Sequence, residues 1–353
     1  KSTSDKKEVD NVDVRGNAFD KLIEYAIQND QIINASIELT NNCNQRCKFC
    51  YLDNFTEKGL DKDTIINLGR QLKDLGVVSV LFTGGELFLR KDALEILSAY
   101  NKMGFCLEIK TNGTIINETI IKKLKHLNLL DLQISIYETK DGFSGITSTN
   151  YSFSKLSDTI KKMIDNGIPV SLSVMVGKHN IDEIEQIHEK IKKIGDVNVS
   201  YSPYITPNRK GLEYGIELRL SAKELKEKFA PFLKKINGFT EQKKYRNCAN
   251  DKTVCFAGKD QIAIGSDGNV YPCLDLRIVM GNIRKLPLNE ILKNKYKFLN
   301  KFSITEIPKC MNCKIRDFCD SCIGVALIEN GDYRIPSSHK CDVTKFFMKG
   351  GEK

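Results

Sequence analysis

The sequence predicts an α/β protein in which six strand–helix units build a parallel sheet, followed by a turn-rich, cysteine-rich tail. Three observations carry that reading. From residue 35 to about 236, short apolar runs alternate with stretches of helical periodicity, the pattern of βαβ units and a parallel sheet. Six units are too few to close an eight-strand barrel. From about residue 245 turns replace the alternation, and eight of the twelve cysteines lie there, so a second, differently built unit is expected.

The elements follow in order. Residues 1–16 are polar and charged and read as a flexible lead-in. Phe19, Leu22, Ile23, Tyr25 and Ala26 mark a short amphipathic helix. Strands are expected at Ala35–Leu39, Val78–Phe82, Cys106–Lys110, Leu130–Ile136, Val170–Val176 and Val197–Tyr201, with helices near 61–74, 91–103, 117–126, 152–166 and 180–193. A helix at 221–236 leads to a boundary near 237–247, around Asn237-Gly238. The chain thus divides into a lead-in with its short helix (1–34), a sheet-and-helix domain (35–237) and a cysteine-rich domain (238–353).

Composition narrows the function classes. An apolar content of 41% supports a full core. No apolar run approaches the ~18 residues of a membrane span, and no secretory signal is visible. A chain that begins on Lys1 is expected to lack its true start. Twelve cysteines in metal-like spacings, in a large Lys-rich chain, fit a reducing cytoplasm and metal ligation better than disulfides. The formal charge is +9, but the lysines are spread along helix faces, as in Lys122-Lys123 and Lys192-Lys193. No interleaved aromatic–basic pattern accompanies them, so neither nucleic acid nor a membrane is an expected partner.

The first motif is Cys43, Cys47 and Cys50, spaced C-x3-C-x2-C after the strand Ala35–Thr40. Three thiolates can hold three irons of a four-iron cluster and leave the fourth open to a ligand. The alternative is a zinc site or structural cysteines, although zinc sites more often use two C-x2-C pairs. One β/α unit later comes Thr83-Gly84-Gly85-Glu86. Adjacent glycines let backbone approach a ligand closely, and a neighbouring carboxylate can pair with an ammonium. Both motifs fall at strand C-termini, where parallel α/β sheets bind ligands. In the tail, Cys248 and Cys255 precede Gly268-Asn269-Val270-Tyr271-Pro272-Cys273. Then follow Cys310, Cys313, Cys319 and Cys322 in C-x2-C-x5-C-x2-C, and Cys341. The second run could alternatively form one zinc knuckle with four thiolate ligands.

Together these motifs resemble the radical S-adenosylmethionine (radical SAM) enzymes that carry a C-terminal SPASM extension, over roughly residues 35–345. The resemblance implies an open (β/α)6 partial TIM barrel followed by a Cys-rich, loop-rich SPASM domain binding two auxiliary clusters. It implies three [4Fe-4S] clusters and S-adenosyl-L-methionine as cofactors. Cys43, Cys47 and Cys50 would bind the active cluster. Cys248, Cys255, Cys273 and Cys322 would bind the inner auxiliary cluster, and Cys310, Cys313, Cys319 and Cys341 the outer one. The one departure is x2 rather than x3 before Cys322. Ionised ligands on three clusters would contribute about −5, leaving the chain only mildly basic.

For SAM itself, the resemblance implies contacts from Gly84, Gly85 and Glu86. It adds Asn112 of Thr111-Asn112-Gly113, which reads equally as an Asn-Gly turn. It adds Ser135, which could also serve a strand neighbour, and Tyr51, which could also be local packing. Cys106 remains outside the ligand count. A buried core position is its default, and a hydrogen-atom donor for peptide epimerisation is the alternative.

The segment Ser135-Ile136-Tyr137-Glu138, Gly145-Ile146-Thr147 and Tyr151-Ser152-Phe153 resembles peptide maturases and their haem-pathway cousins. That implies a radical SAM oxidoreductase acting on a ribosomally made precursor peptide, with a small electron donor such as flavodoxin or ferredoxin. Two fully ligated auxiliary clusters suit an oxidative cross-link, a thioether above all. Formylglycine formation by an anaerobic sulfatase maturase is a second reading, although Leu274 stands where those enzymes place an aspartate. Asp275, one residue on, is the substitute base. A non-catalytic iron–sulfur or zinc electron-transfer or scaffold protein is the alternative from another class, and the Gly84-Gly85-Glu86 motif argues against it. About 34 residues precede the first core strand, too few for a winged-helix leader-recognition module. Either that module is missing from the sequence, or it is a separate leader-binding protein, or the leader binds elsewhere.

Overall fold

The chain was analysed as a computed structural model, which describes residues 14–209, 211, 215–237, 255, 257–293, 302–319 and 322–348. An N-terminal helix, α1 (Val14–Gln28), precedes the sheet. Six parallel strands then form its body: β1 (Asn34–Thr40), β2 (Ser79–Gly84), β3 (Cys106–Thr111), β4 (Leu129–Ile136), β7 (Val170–Met175) and β8 (Asn198–Ser202). Helices α2 (Lys62–Asp74), α3 (Ala93–Met103), α4 (Glu118–Leu124), α5 (Phe153–Asp165) and α6 (Ile184–Lys192) alternate with them. The expected strands and helices all form, within a few residues of their predicted ends. Helix starts are capped locally: Asp61 and Asn117 each accept an N–H from the third residue on, at 2.9 and 3.0 Å.

Strand alternation sorts the side chains. One face carries Ile37, Phe82, Ile109, Leu132, Ile134, Leu172 and Val174, all buried under the helices. In register across it, Ile37 pairs with Phe82, Phe82 with Ile109, and Ile109 with Leu132. Phe82 meets Tyr100 of α3 edge-on at 5.0 Å, and the Tyr100 hydroxyl donates to the Ile65 carbonyl at 2.7 Å. The opposite face carries Ser36, Glu38, Thr83, Glu108, Lys110, Asp131, Gln133, Ser135, Ser171 and Ser173. A sheet apolar on one face and polar on the other leaves the polar face for a ligand.

The tail also adds three short strands that its sequence did not announce. β9 (Gln261–Ile264), β10 (Asn269–Tyr271) and β11 (Gly281–Asn282) join the main sheet, giving the order β11-β10-β9-β1-β2-β3-β4-β7-β8. β9 lies parallel to β1, with Ala35 opposite Ile262 and Ile37 opposite Ile264. The cysteine-rich segment thus covers the first edge of the barrel sheet. Each of these strands is at most four residues long, too short for a periodicity signal. A hairpin, β5 (Gly142–Ser144) with β6 (Thr149–Tyr151), also went unpredicted. Segments Ala222–Glu224, Leu225–Phe229 and Ala230–Asn237 follow without a break, the middle one π-helical. Beyond them, the proposed boundary and Cys248 lie outside the described residues, as does most of the lead-in. Helices Ile323–Asn330 and Ser338–Met348 close the described chain.

Phe82 is fully buried at the centre of this packing. Phe82→Ala is expected to cost about 3–5 kcal/mol of stability. Urea unfolding checks it, and a loss under ~1 kcal/mol would show that α3 can collapse onto β2.

Candidate functional site

The strand C-termini gather the predicted site residues, and the loop after β1 is the piece most heavily tied down. Its residues Arg46 and Lys48 donate backbone N–H groups to the carbonyls of Thr147 and Ile146, at 2.8 and 2.9 Å. The Gly145-Ile146-Thr147 segment is therefore a brace for the cysteine loop. Asn208, buried beyond β8, donates to the carbonyls of Cys50 and Leu52 at 3.1 and 2.7 Å. Ser266 of the tail donates to Asn41 at 3.0 Å. Asn112 donates to Asn44 at 2.8 Å and lies 3.9 Å from the Cys43 sulfur, while Thr114 occupies its carbonyl oxygen. Asn112 thus serves the loop directly as well as its own turn.

The structure brings Cys43, Cys47 and Cys50 together. Burial is the main cause that raises all three thiols, the Cys50 thiol to about 11, and the charges of the other motif cysteines add to it at Cys47 and Cys50. Thiolates crowded in a desolvated loop need a cationic partner. In the tail, Cys255, Cys273 and Cys322 are likewise grouped, each raised chiefly by burial. Each of these sulfurs accepts one backbone N–H, from Ala257, Leu276 and Val325 at 3.4, 3.2 and 3.4 Å. Cys313 acts on Cys341, and Cys319 lies 3.6 Å from Thr344 of the helix that carries Cys341. Among the described residues, no three His, Cys, Asp or Glu side chains converge closely enough to share one metal ion.

The Gly-Gly-Glu turn differs from its reading in the sequence. A Cβ on Gly84, whose φ is +124°, would stand 2.3 Å from the Thr40 oxygen, and one on Gly85 would stand 2.2 Å from the Asn42 oxygen. The missing side chains admit the cysteine loop, which then closes by hydrogen bonds from Gly85 to Thr40 and from Glu86 to Asn42, at 2.7 and 2.8 Å. Glu86 was expected to offer its carboxylate to an ammonium. Instead the carboxylate is wholly buried, accepting from the Phe88 and Asn112 amides and the Thr111 hydroxyl at 2.8–3.1 Å. It locks the β2 and β3 turns together. Tyr51 extends the same brace, donating to the Gly84 carbonyl at 3.2 Å.

Ser135 lies half-buried on the polar face of β4, beside the Tyr137 phenol, which also faces Cys47. Phe49, between two motif cysteines, packs on Tyr137 at 5.0 Å and on His179 at 5.6 Å. Both His179 ring nitrogens are buried without a hydrogen-bond partner, and burial pulls its pKa down to about 4, so the ring is neutral. A lone histidine has no spacing signal, so the sequence did not mark it.

Glu38 was also missed. It is 2% exposed on the polar face of β1 and pairs with Arg209 after β8 and with Arg277 of the tail, the latter at 3.0 Å. Arg209 lies over the Tyr51 ring at 4.7 Å and Arg277 over Tyr271 at 3.7 Å. Asp275 is solvent-exposed, yet protein crowds around its carboxylate. Burial raises its carboxyl, against the opposing fields of Arg209, Lys110, Lys340 and Arg277.

The default for Cys106 is a core position, with a hydrogen-atom donor as the alternative. It opens β3 half-buried, with the Asn128 amide donating to its sulfur at 3.6 Å. Asn112 lies six residues farther along, about 20 Å at strand rise. A thiol at the N-terminal end of a parallel strand is remote from chemistry at the C-terminal ends, which argues against a hydrogen donor.

Glu38→Ala should leave two buried guanidiniums uncompensated and destabilise the protein by about 3–5 kcal/mol. Denaturant unfolding of the wild type and the variant checks this. A cost below ~1 kcal/mol would show that Arg209 and Arg277 reach other partners.

The family model described as the radical SAM superfamily matches residues 37–191, and that of SPASM, an iron–sulfur cluster-binding domain, matches residues 255–314. An AdoMet-dependent heme synthase of Methanosarcina barkeri is 26% identical over 326 residues, 84% of this chain and 92% of that protein. The antilisterial bacteriocin subtilosin biosynthesis protein AlbA of Bacillus subtilis is 26% identical over 332 residues, 86% of this chain and 69% of that one. A probable GTP 3′,8-cyclase of Saccharolobus solfataricus is 30% identical over 261 residues, 67% and 81% of the two chains. The crystal structure of Streptococcus suis SuiB bound to precursor peptide SuiA shares the fold, with a TM-score of 0.67 at 16% identity over 96% of this chain and 83% of that one. No helix among the described residues is long and apolar enough to cross a membrane. The chain belongs to the radical SAM superfamily, as an iron–sulfur and SAM-binding enzyme with a C-terminal SPASM domain.

Proposed function

We propose that this enzyme is a peptide maturase that oxidatively cross-links a ribosomally made precursor, most specifically through a thioether. The observation that carries the reading is the pairing of two separate cysteine sets around one polar sheet face: Cys43, Cys47 and Cys50 at its top, and Cys255, Cys273 and Cys322 beside it. Likeness to a bacteriocin biosynthesis protein and to a fold solved with a precursor peptide supports a peptide substrate. In the full assignment Cys248 completes the inner set, and Cys310, Cys313, Cys319 and Cys341 form the outer one, for three clusters in all.

When bound, the cofactors supply a radical that removes a hydrogen atom from the substrate and clusters that accept the electron left over. The chain's own residues do the rest. Tyr51 and Asn112 hold the cysteine loop in place, and Ser135, with the turns around Gly84 and Gly85, borders the SAM position. Asp275 lies beside the inner cysteine set and is the candidate acceptor of the thiol proton. Joining a C–H carbon to a thiol removes two hydrogens from the peptide.

The likeness to a heme synthase over 92% of that protein favours a second reading, a tetrapyrrole in place of a peptide. Stimulation of 5′-deoxyadenosine formation by a tetrapyrrole and not by a peptide would decide for it.

Anaerobic reconstitution should load about twelve irons per chain, four for each of three clusters. A value near eight would remove one auxiliary cluster. Replacing Cys43, Cys47 and Cys50 together by Ala should abolish 5′-deoxyadenosine formation, whereas Cys313→Ala should retain it and lose product. The treated precursor should be about two daltons lighter. An unchanged mass with solvent deuterium at an α-carbon would replace cross-linking by epimerisation.

A further inference from the structure

Beside the inner cysteine set stands a phenol with nothing among the described residues to donate to. Tyr204 lies just beyond β8, and its Oη is buried without a hydrogen-bond partner. Buried hydroxyls are nearly always bonded, so an orphan of this kind points to an acceptor other than the chain. The ring itself is firmly seated. It stacks on the His339 imidazole with centroids 6.0 Å apart and planes 9° from parallel, and Lys340 Nζ lies 4.0 Å from its centroid. His339 and Lys340 belong to the helix Ser338–Met348, which carries Cys341.

The other side of Tyr204 faces the inner set. Cys322 is the charged group that acts on the phenol most strongly, followed by Glu329 and Asp275. Cys322 caps the helix Ile323–Asn330, and Glu329 near its end is already taken by Arg219 at 2.6 Å. Backbone amides donate to the sulfurs of Cys255, Cys273 and Cys322, and no side-chain hydroxyl among the described residues does. A cluster held by these cysteines would bring inorganic sulfides as well, which are acceptors the protein chain does not have.

We propose that the Tyr204 hydroxyl donates a hydrogen bond to the sulfur shell of the inner auxiliary cluster and thereby raises its reduction potential. The inference rests on the reading of Cys255, Cys273 and Cys322 as ligands of that cluster. Reduction adds negative charge to the cluster, much of it on sulfur. A donor aimed at sulfur stabilises the reduced form more than the oxidised one, and hydrogen bonds to the sulfurs are among the levers that set cluster potentials. Enclosure by protein strengthens the effect, because a hydrogen bond in a low-dielectric surrounding is electrostatically stronger than in water. Tyr204 is thus a positioning residue that tunes an electron acceptor and does not touch the substrate.

The test is a potentiometric titration of the anaerobically reconstituted full chain, followed by electron paramagnetic resonance, for wild type and Tyr204→Phe. Phe keeps the ring and its stacking and removes only the donor. One auxiliary signal should move to a more negative midpoint, with the other clusters, the iron content and SAM cleavage unchanged. Unmoved midpoints would overturn the proposal. Should the variant fail to take up its iron, electron–nuclear double resonance on the wild type in light and heavy water reads the same contact. A strongly coupled exchangeable hydrogen beyond the amide set is expected, and its absence would overturn the proposal equally. A wild-type iron content near four would overturn the ligand reading itself, and is distinguishable because no auxiliary signal would then appear.

Discussion

Glu38 is held between two arginines on the polar face of the first strand, and this contact joins the three parts of the molecule. Arg209 comes from the loop after β8 and Arg277 from the tail, so one carboxylate ties together the first strand, the far end of the barrel sheet and the cysteine-rich segment. Burying one carboxylate with two guanidiniums carries a desolvation cost that good geometry can repay but seldom exceeds. The arrangement therefore makes better sense as a device for register than as a source of stability. Each arginine also covers an aromatic ring, Tyr51 or Tyr271, which limits where its guanidinium can sit.

From that node the cysteine loop takes its shape. Tyr51, already under Arg209, reaches the Gly84 carbonyl, and the glycines accept the loop's carbonyls where any side chain would collide. The buried Glu86 fixes the next turn through Thr111 and Asn112, and Asn112 returns to the loop through Asn44. The chain closes on itself, so the three motif cysteines are positioned by backbone contacts from the β2 turn and the β5–β6 hairpin and by side-chain contacts from the β3 turn and the tail. Such positioning by rigid elements is what a radical reaction asks of a protein, since the cofactor supplies the reactivity and the protein supplies the geometry.

The tail contributes to the core as well as to the second cysteine set. By adding β9 beside β1 it covers an edge that would otherwise expose unpaired backbone groups. It also places Asp275, Cys273 and Cys322 beside one another, and Tyr204, just beyond β8, comes up to them from the barrel side. The two stretches of chain consequently share one sheet, although their sequences differ in character.

The sequence by itself determined the six-unit sheet. Strand alternation and helical periodicity are local properties, and Ile37, Phe82, Ile109 and Leu132 carry them without reference to anything distant. The spacing of Cys43, Cys47 and Cys50 likewise confines three thiols to one loop. Only the tertiary structure decided the rest. Nothing near Glu38 in the chain announces Arg209 or Arg277, which lie 171 and 239 residues away. The strands of the tail are too short to show a period, and they exist because β1 offers them an edge. Glu86 looked like an open carboxylate, and only the folded β3 turn supplies the donors that close it off. Cys106 looked like a reactive or a core thiol until its place at the wrong end of β3 was fixed. In each case the deciding contact joins residues distant in sequence, and local pattern carries no trace of it.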